Sequence, residues 1–473
     1  MTRFSVRFLT LWLLLLAAGF IPLHAQSLGK TLDKTLEAPA LKGGLTGAIV
    51  CRVADGMVLY AHNADVRLIP ASNRKLWTSA AALELLGDDF TLHTDLCATV
   101  KPDAAGVVQG SLYLRGGGDG LLSPADLDAM AQSLAQSGVK EVTGGVLGDG
   151  SLFTDGPYGF GWEWDDLSDE EFPQVSALEV NEGVLTVHVT PGTLAGDTAV
   201  ATVDPATAFQ SVDVQAKTRE AGAAETCAVS RPYGKAAFVV TGILPLGKTL
   251  DVKVPVNDPS LLAATLMCEA LARHGIAVDG KAAGGKTPPD ALVLAAHVSL
   301  PLSQYLARMN KPSDNLLAES LIRMVGAVKG KGGSYEAGHA VETPFFKSLG
   351  VDTVPLALVD GCGVGRRNFV TARAVSQLLL GMHREKDWRV YYDSLPIAGV
   401  DGTLKSRMKG TKAQGNVHAK TGTLGGVRAL SGYFTGRGGK LYVFSLLMNN
   451  FPGTARQAGA VQDTFINKLL PAL

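Results

Sequence analysis

Three short strings carry residue types that do chemistry when they share a site: Ser72-Asn73-Arg74-Lys75, Ser313-Asp314-Asn315 and Lys420-Thr421-Gly422. A serine hydroxyl becomes a useful nucleophile once a neighbouring base takes its proton, and a lysine serves as that base only when its amine is neutral. Lys75 follows Ser72 by three residues, a spacing that puts both on one helix face. Burial, or a nearby cation such as Lys420, would lower the amine's pKa enough for the task. Ser313 is placed to pass a proton to a leaving amine, and Asn315 to hold a substrate amide and Lys75. Lys420 and Thr421 suit a substrate carboxylate. The backbone N–H groups of Ser72 and Thr423 suit an oxyanion, where one lost donor typically costs about 3 to 4 kcal/mol. These are the parts of an acyl-transfer centre.

Order and rarity carry the signal. Ser-x-x-Lys also begins at Ser27, Ser137 and Ser406, whereas the Ser313 to Asn315 and Lys420 to Gly422 strings have no second instance. Each string alone has an ordinary structural explanation: a capping serine with a solvated lysine, helix-capping polar residues, or an edge strand with a gatekeeping lysine.

The elements around them are readable. Pro70-Ala71 leads into the apolar pattern Leu76, Trp77, Ala80, Ala81, Leu83, Leu85, Leu86 before Gly87, which places Ser72 at a helix N-terminus, where the dipole favours developing negative charge. Met309 to Asn315 reads as a loop entering a helical run from Leu316 to Val325. Val417 to Leu424, Leu430 to Phe434, the Gly436-Arg437-Gly438-Gly439 turn and Lys440 to Leu447 read as antiparallel strands, and Gly422 permits close approach of a backbone or ligand.

With these strings in this order, the chain resembles the low-molecular-mass penicillin-binding proteins of the penicillin-binding protein 4 type, which are D-alanyl-D-alanine carboxypeptidases and endopeptidases. Leu395-Pro396-Ile397-Ala398-Gly399-Val400-Asp401-Gly402-Thr403-Leu404 is similar to that family's turn before its third motif. Lys420 to Leu424, running on to Leu430-Ser431-Gly432-Tyr433, is similar to its motif strand and hairpin. Asp360-Gly361-Cys362-Gly363 is similar to a family Asp-Gly-Ser-Gly stretch, with cysteine in the serine's place. The likeness covers most of the mature chain and is weakest across the middle.

The resemblance implies an α/β (α+β) fold: a β-lactamase/transpeptidase-like domain with a mixed antiparallel sheet flanked by helices. It implies Ser72 as the acylated nucleophile, Lys75 as general base, Ser313 and Asn315 in proton relay and positioning, and Lys420, Thr421 and Gly422 as the carboxylate-binding strand. Peptidoglycan stem peptides or cross-links would be the substrates. β-Lactams, which mimic a D-Ala-D-Ala end, would acylate Ser72. No cofactor is expected.

Length and composition set the frame. A chain of 473 residues, 46% hydrophobic and 18% charged, is globular and long enough for two or more domains. With 43 basic against 44 acidic residues it has no polyanion-binding signature, which argues against nucleic acid. Arg3 and Arg7 precede an apolar run from Phe8 to Ile21, with a cleavage site expected after Ala25, so residues 1–25 read as a signal peptide of a periplasmic or secreted protein. No later run is long enough to anchor the mature chain in a membrane. The cysteines at 51, 97, 227, 268 and 362 signal neither a disulfide scaffold nor a metal site.

The long interval between the first and second strings, rich in glycine and short β-like segments, points to an insertion. The expectation is a discontinuous catalytic domain, 26–91 and 292–473, around an inserted domain, 92–291, of α/β character with β-rich material nested in it. A faint internal echo runs through that insertion: helix Pro124 to Ser137 then strand Gly138 to Gly144, and helix Pro259 to His274 then strand Gly275 to Gly280.

Rival readings have weaker support. Gly242 to Thr249 and Gly280 to Thr287 both fit the P-loop pattern. The first runs on into a strand-like alternation and the second into Pro288-Pro289, where a nucleotide hydrolase needs a helix. There is no Gly-x-Ser-x-Gly elbow, and the nine histidines form no His-x-x-x-His pair. A β-lactamase, or a penicillin-binding receptor without turnover, shares the expected fold. The former needs a water-activating carboxylate, for which Glu319 is the candidate by its nearness to Asn315.

Overall fold

The computed structural model describes residues 23–232 and 237–473. The apolar run from Phe8 to Ile21 lies outside the described residues. Among the described residues no helix is long and apolar enough to cross a membrane.

The strand that carries Lys420, His418–Leu424, is the edge of a five-stranded sheet whose order continues Val427–Thr435, Leu441–Asn449, Leu45–Arg52, Val58–His62. All four pairings are antiparallel, with Lys420 opposite Ser431. Successive side chains point to opposite faces, and both faces are covered. Ile49, Cys51, Ala429, Tyr433, Val443 and Leu447 pack toward the core that holds the helices Arg74–Leu86, Asn315–Lys329 and Ala372–Met382. Ala48, Val50, Ala419, Leu430, Phe444 and Leu446 pack toward the helices Leu23–Leu36 and Ala455–Leu469. Lys420, next to Ala419, therefore projects to the first face, the one the Ser72 segment occupies.

The insertion has its own core. Its largest sheet runs Ala283–Gly284, Val146–Asp149, Leu112–Gly116, His93–Ala98, Leu292–Val298. The helices Pro124–Gln136 and Pro259–Arg273 share its apolar core. The echoed strands Glu141–Val142 and Ala277–Val278 pair directly and in parallel. Val184–Thr190 lies between Val200–Asp204 and Leu250–Pro255 in a separate β-rich piece. Leu292–Val298, on the catalytic side of the expected boundary, pairs antiparallel with His93–Ala98 and so is hydrogen-bonded into the inserted sheet. Neither P-loop pattern meets a helix: Gly242 to Thr249 spans the strand Ile243–Pro245 and enters Leu250–Pro255, and Thr287 is followed by the strand Leu292–Val298. That excludes the phosphate cradle. All five cysteines are unpaired.

The helix behind Ser72 is gripped through its first residue. Arg74 is wholly buried, its guanidinium 2.8 Å from Glu342 on the helix Tyr335–Ser348 and 2.8 Å from the Asp360 carbonyl. Trp77, one turn on, meets Phe346 edge to face at 5.0 Å between ring centres. Truncating one partner of a buried pair strands the other charge, so Glu342→Ala should lose about 3 to 5 kcal/mol. Denaturant unfolding measures this, and a change near zero would contradict the arrangement.

Candidate active site

Ser72 sits in a single 3₁₀ turn, Ala71–Asn73, that runs directly into the helix Arg74–Leu86. Ala71 takes a left-handed backbone, φ 46°, which a non-glycine residue adopts rarely and at a cost of about 1 to 3 kcal/mol. Two glycines from distant segments hold it there. A Cβ on Gly363 would lie 1.9 Å from the Ala71 carbonyl oxygen, and one on Gly422 2.6 Å from that of Pro70. Gly422 thus lets the Lys420 strand press its backbone against the nucleophile turn. Asn73 adds a side-chain tie, donating to the Ser431 hydroxyl at 2.7 Å.

The Lys75 amine is fully buried and meets three oxygens: the Ser72 hydroxyl at 3.1 Å, Asn315 Oδ1 at 2.7 Å and the Cys362 backbone carbonyl at 3.1 Å. Burial holds its pKa below the ordinary lysine value, while Cys362 and the carboxylates of Asp314, Glu319 and Asp360 oppose that shift. Asn315 opens the helix Asn315–Lys329 after a side-chain cap by Asp314. Its Nδ2 donates to the Glu171 carbonyl of the insertion at 3.0 Å, which fixes the amide with its oxygen toward Lys75. Two residues earlier, Ser313 also has a left-handed backbone, φ 74°.

Lys420, likewise fully buried, donates to the Ser313 hydroxyl at 2.8 Å and to the Thr421 carbonyl at 3.0 Å. Burial first, and repulsion from Lys75 second, push its pKa well down. A substrate carboxylate would supply Lys420 with a counter-charge. Thr421 shares a 2.7 Å hydrogen bond with Thr403, and Thr423 receives one from Arg428.

All eight residues expected from the sequence therefore fall in one region, linked through Lys75 to Ser72 and Asn315, through Ser313 to Lys420, and through Gly422 to the Ser72 turn. Several participants carry no sequence signature. Cys362 and Glu171 act through backbone carbonyls, which any residue type supplies. Thr403 lies in the Leu395 to Leu404 stretch already singled out. That turn docks on the Ser313 loop through Lys311, whose amine is 2.6 Å from Asp401. Cys362 is buried beside Asp360, and burial raises its thiol pKa well above the usual range, which disfavours the reactive thiolate.

Glu319, Asp360 and Cys362 place ligand-type atoms within 4.8 Å of one another, but both carboxylates are taken by N–H and O–H donors from the chain. Glu319 is fully buried, with one oxygen on the Gly361 and Cys362 amides and the other on the Tyr335 hydroxyl. This counts against Glu319 as a water-activating base, since the side chain is fully buried and both oxygens already accept from the chain.

The family model for D-Ala-D-Ala carboxypeptidase 3 (S13) matches residues 28–467. The chain belongs to this family. It is 40% identical over 458 residues to a D-alanyl-D-alanine carboxypeptidase of Actinomadura sp. (strain R39), covering 93% of this chain and 84% of that one. It is 28% identical over 426 residues to D-alanyl-D-alanine carboxypeptidase DacB of Haemophilus influenzae, covering 89% of this chain and 88% of the relative. The crystal structure of penicillin binding protein 4 (dacB) from Haemophilus influenzae superposes with a TM-score of 0.83 at 26% identity, over 93% of this chain and 99% of that one. This S13 protein is a serine-type D-Ala-D-Ala carboxypeptidase with the β-lactamase/transpeptidase-like fold.

The clamp on Ala71 gives a direct check. Gly363→Ala forces a Cβ into the Ala71 carbonyl, so it should destabilise the fold by about 1 to 3 kcal/mol and lower hydrolysis of a D-Ala-D-Ala peptide at least tenfold, as misplacing a nucleophile by a fraction of an ångström does. Peptide turnover and denaturant unfolding read the two effects. Full activity would contradict the clamp.

Proposed function

We propose that Ser72 is the nucleophile of this carboxypeptidase and Lys75 its general base. What carries the reading is the buried Lys75 amine, 3.1 Å from the Ser72 hydroxyl and held on its other sides by carbonyl oxygens. Substrate enters with the terminal carboxylate toward Lys420 and Thr421. The neutral Lys75 amine takes the Ser72 proton as Oγ attacks the carbonyl of the penultimate D-alanine. The oxyanion forms against the N–H groups of Ser72 and Thr423. Ser313 gives its proton to the departing amine and regains one from Lys420, which donates to it, the proton taken up by Lys75 making good the loss; D-alanine leaves, and water later releases the acyl group from Ser72. Asn315 holds Lys75 and the substrate amide.

The substrates are peptidoglycan stem peptides, and cross-links where the same D-alanyl carbonyl is attached to a second strand. β-Lactams acylate Ser72 in the same way. A signal peptide over 1–25 and a periplasmic or secreted location complete the proposal, as does a division into a catalytic unit, 26–91 and 299–473, and an insertion, 92–298. The antiparallel pairing of Leu292–Val298 with His93–Ala98 supports that boundary.

Two variants test the reading. Ser72→Ala should abolish covalent labelling by a fluorescent penicillin while leaving thermal unfolding near that of the parent; labelling that persists would reject Ser72. Lys420→Ala should weaken ligands carrying a free carboxylate more than their amides, by roughly tenfold or more for a lost charged contact. Equal weakening of both would remove Lys420 from the carboxylate site.

A further inference from the structure

The mechanism does not use Glu319, yet it is among the most tightly bound side chains near the site. It follows Asn315 by one helical turn, so both face the helix of Lys75. One of its carboxylate oxygens accepts from the backbone N–H groups of Gly361, at 3.0 Å, and Cys362, at 2.8 Å. The other accepts from the Tyr335 hydroxyl. From the opposite side, Thr78 donates to the Gly361 carbonyl at 2.6 Å. The Gly361–Cys362 peptide is thus fixed in orientation, and its next carbonyl is the one that Lys75 contacts at 3.1 Å.

Orientation matters because a neutral lysine amine has two N–H bonds and one lone pair. Asn315 Oδ1 and the Cys362 carbonyl can only accept. Asn315 cannot present its NH₂ instead, because that group is held by the Glu171 carbonyl. With both N–H bonds claimed, the lone pair has one partner left, the Ser72 hydroxyl. Without a fixed Cys362 carbonyl, an N–H could turn toward Ser72 and leave the lone pair aimed elsewhere.

We propose that Glu319 is a positioning residue for Lys75: it anchors the Gly361–Cys362 peptide so that the Cys362 carbonyl claims one Lys75 N–H and the lone pair faces Ser72. The inference rests on the reading of Lys75 as base. Glu319 also contributes one of the negative charges around that amine. The others are Asp314 and Asp360, and Lys420 is the opposing cation, with the Cys362 thiol also in the group. Arg323 lies over the ring of Tyr335, the hydroxyl donor to Glu319, at 4.4 Å.

The test is the rate of covalent labelling by a fluorescent penicillin across pH, measured with reversible affinity and thermal unfolding, in Glu319→Ala, Glu319→Gln and Tyr335→Phe. Glu319→Ala should lose about 10-fold to 100-fold in acylation rate with reversible affinity little changed. Glu319→Gln keeps an acceptor for the two amides, so it should recover most of that rate. It lacks the charge that favours protonated Lys75, so the acid limb of its profile should move to lower pH, which a merely structural side chain would not cause. Tyr335→Phe should slow acylation by less than Glu319→Ala.

A folded Glu319→Ala protein acylating at the parental rate, or a Glu319→Gln limb that stays in place, would overturn the inference. Should Glu319→Ala fail to fold, parental rates and limbs in both other variants would do so. If instead Lys75→Ala acylates normally, the reading of Lys75 as base is what fails.

Discussion

The structure depends on keeping one amine inside the protein. An ammonium removed from water is unfavourable unless hydrogen bonds replace its hydration, and Lys75 is fully buried. Its three contacts come from its own turn at Ser72, from Asn315 at the start of a second helix, and from the Cys362 carbonyl in a loop before a third. No one segment supplies them. The fold must return the chain to the same point from each of these positions. The same burial that makes the amine hard to hold lowers its affinity for a proton, the direction the proposed base requires.

The insertion is more than an appendage to this core. The segment between its central sheet and the strand Val184–Thr190 crosses to the catalytic side. Glu171 there accepts from Asn315, the Gly156 carbonyl from Arg323 at 3.0 Å, and the Asp155 carboxylate from the Tyr335 amide at 2.6 Å. Tyr335 donates to Glu319, and Arg323 lies over the Tyr335 ring. This segment therefore touches the surroundings of Lys75 at two places, Asn315 and Tyr335.

Much of the site is legible in the sequence because acyl transfer needs particular side chains. A serine with a lysine one turn on, a Ser-x-Asn loop and a Lys-Thr-Gly strand can be read as types and spacings, and Gly422 matters for the close approach a glycine allows. Backbone acceptors cannot be read that way. The cysteine at position 362 looks like a departure from a family serine, but the structure uses its carbonyl, to which the side chain is indifferent. Glu319 stands out by its position, yet position suggests the wrong task, because sequence does not show which way a carboxylate faces. The boundary at Leu292 misleads for a related reason. Leu292, Val293 and Val298 are exposed on an edge strand, so their apolar pattern gives no clue to the sheet they join.

Lys75 sits in the folded protein with a lowered affinity for its proton. Lysine labelled at Cε, with the Lys75 resonance assigned by comparison with Lys75→Arg, allows its titration to be followed directly by NMR. The midpoint should lie below the ordinary lysine value of about 10.4 and return toward that value on unfolding. A Lys75 resonance that titrates with the surface lysines in the folded protein would contradict it.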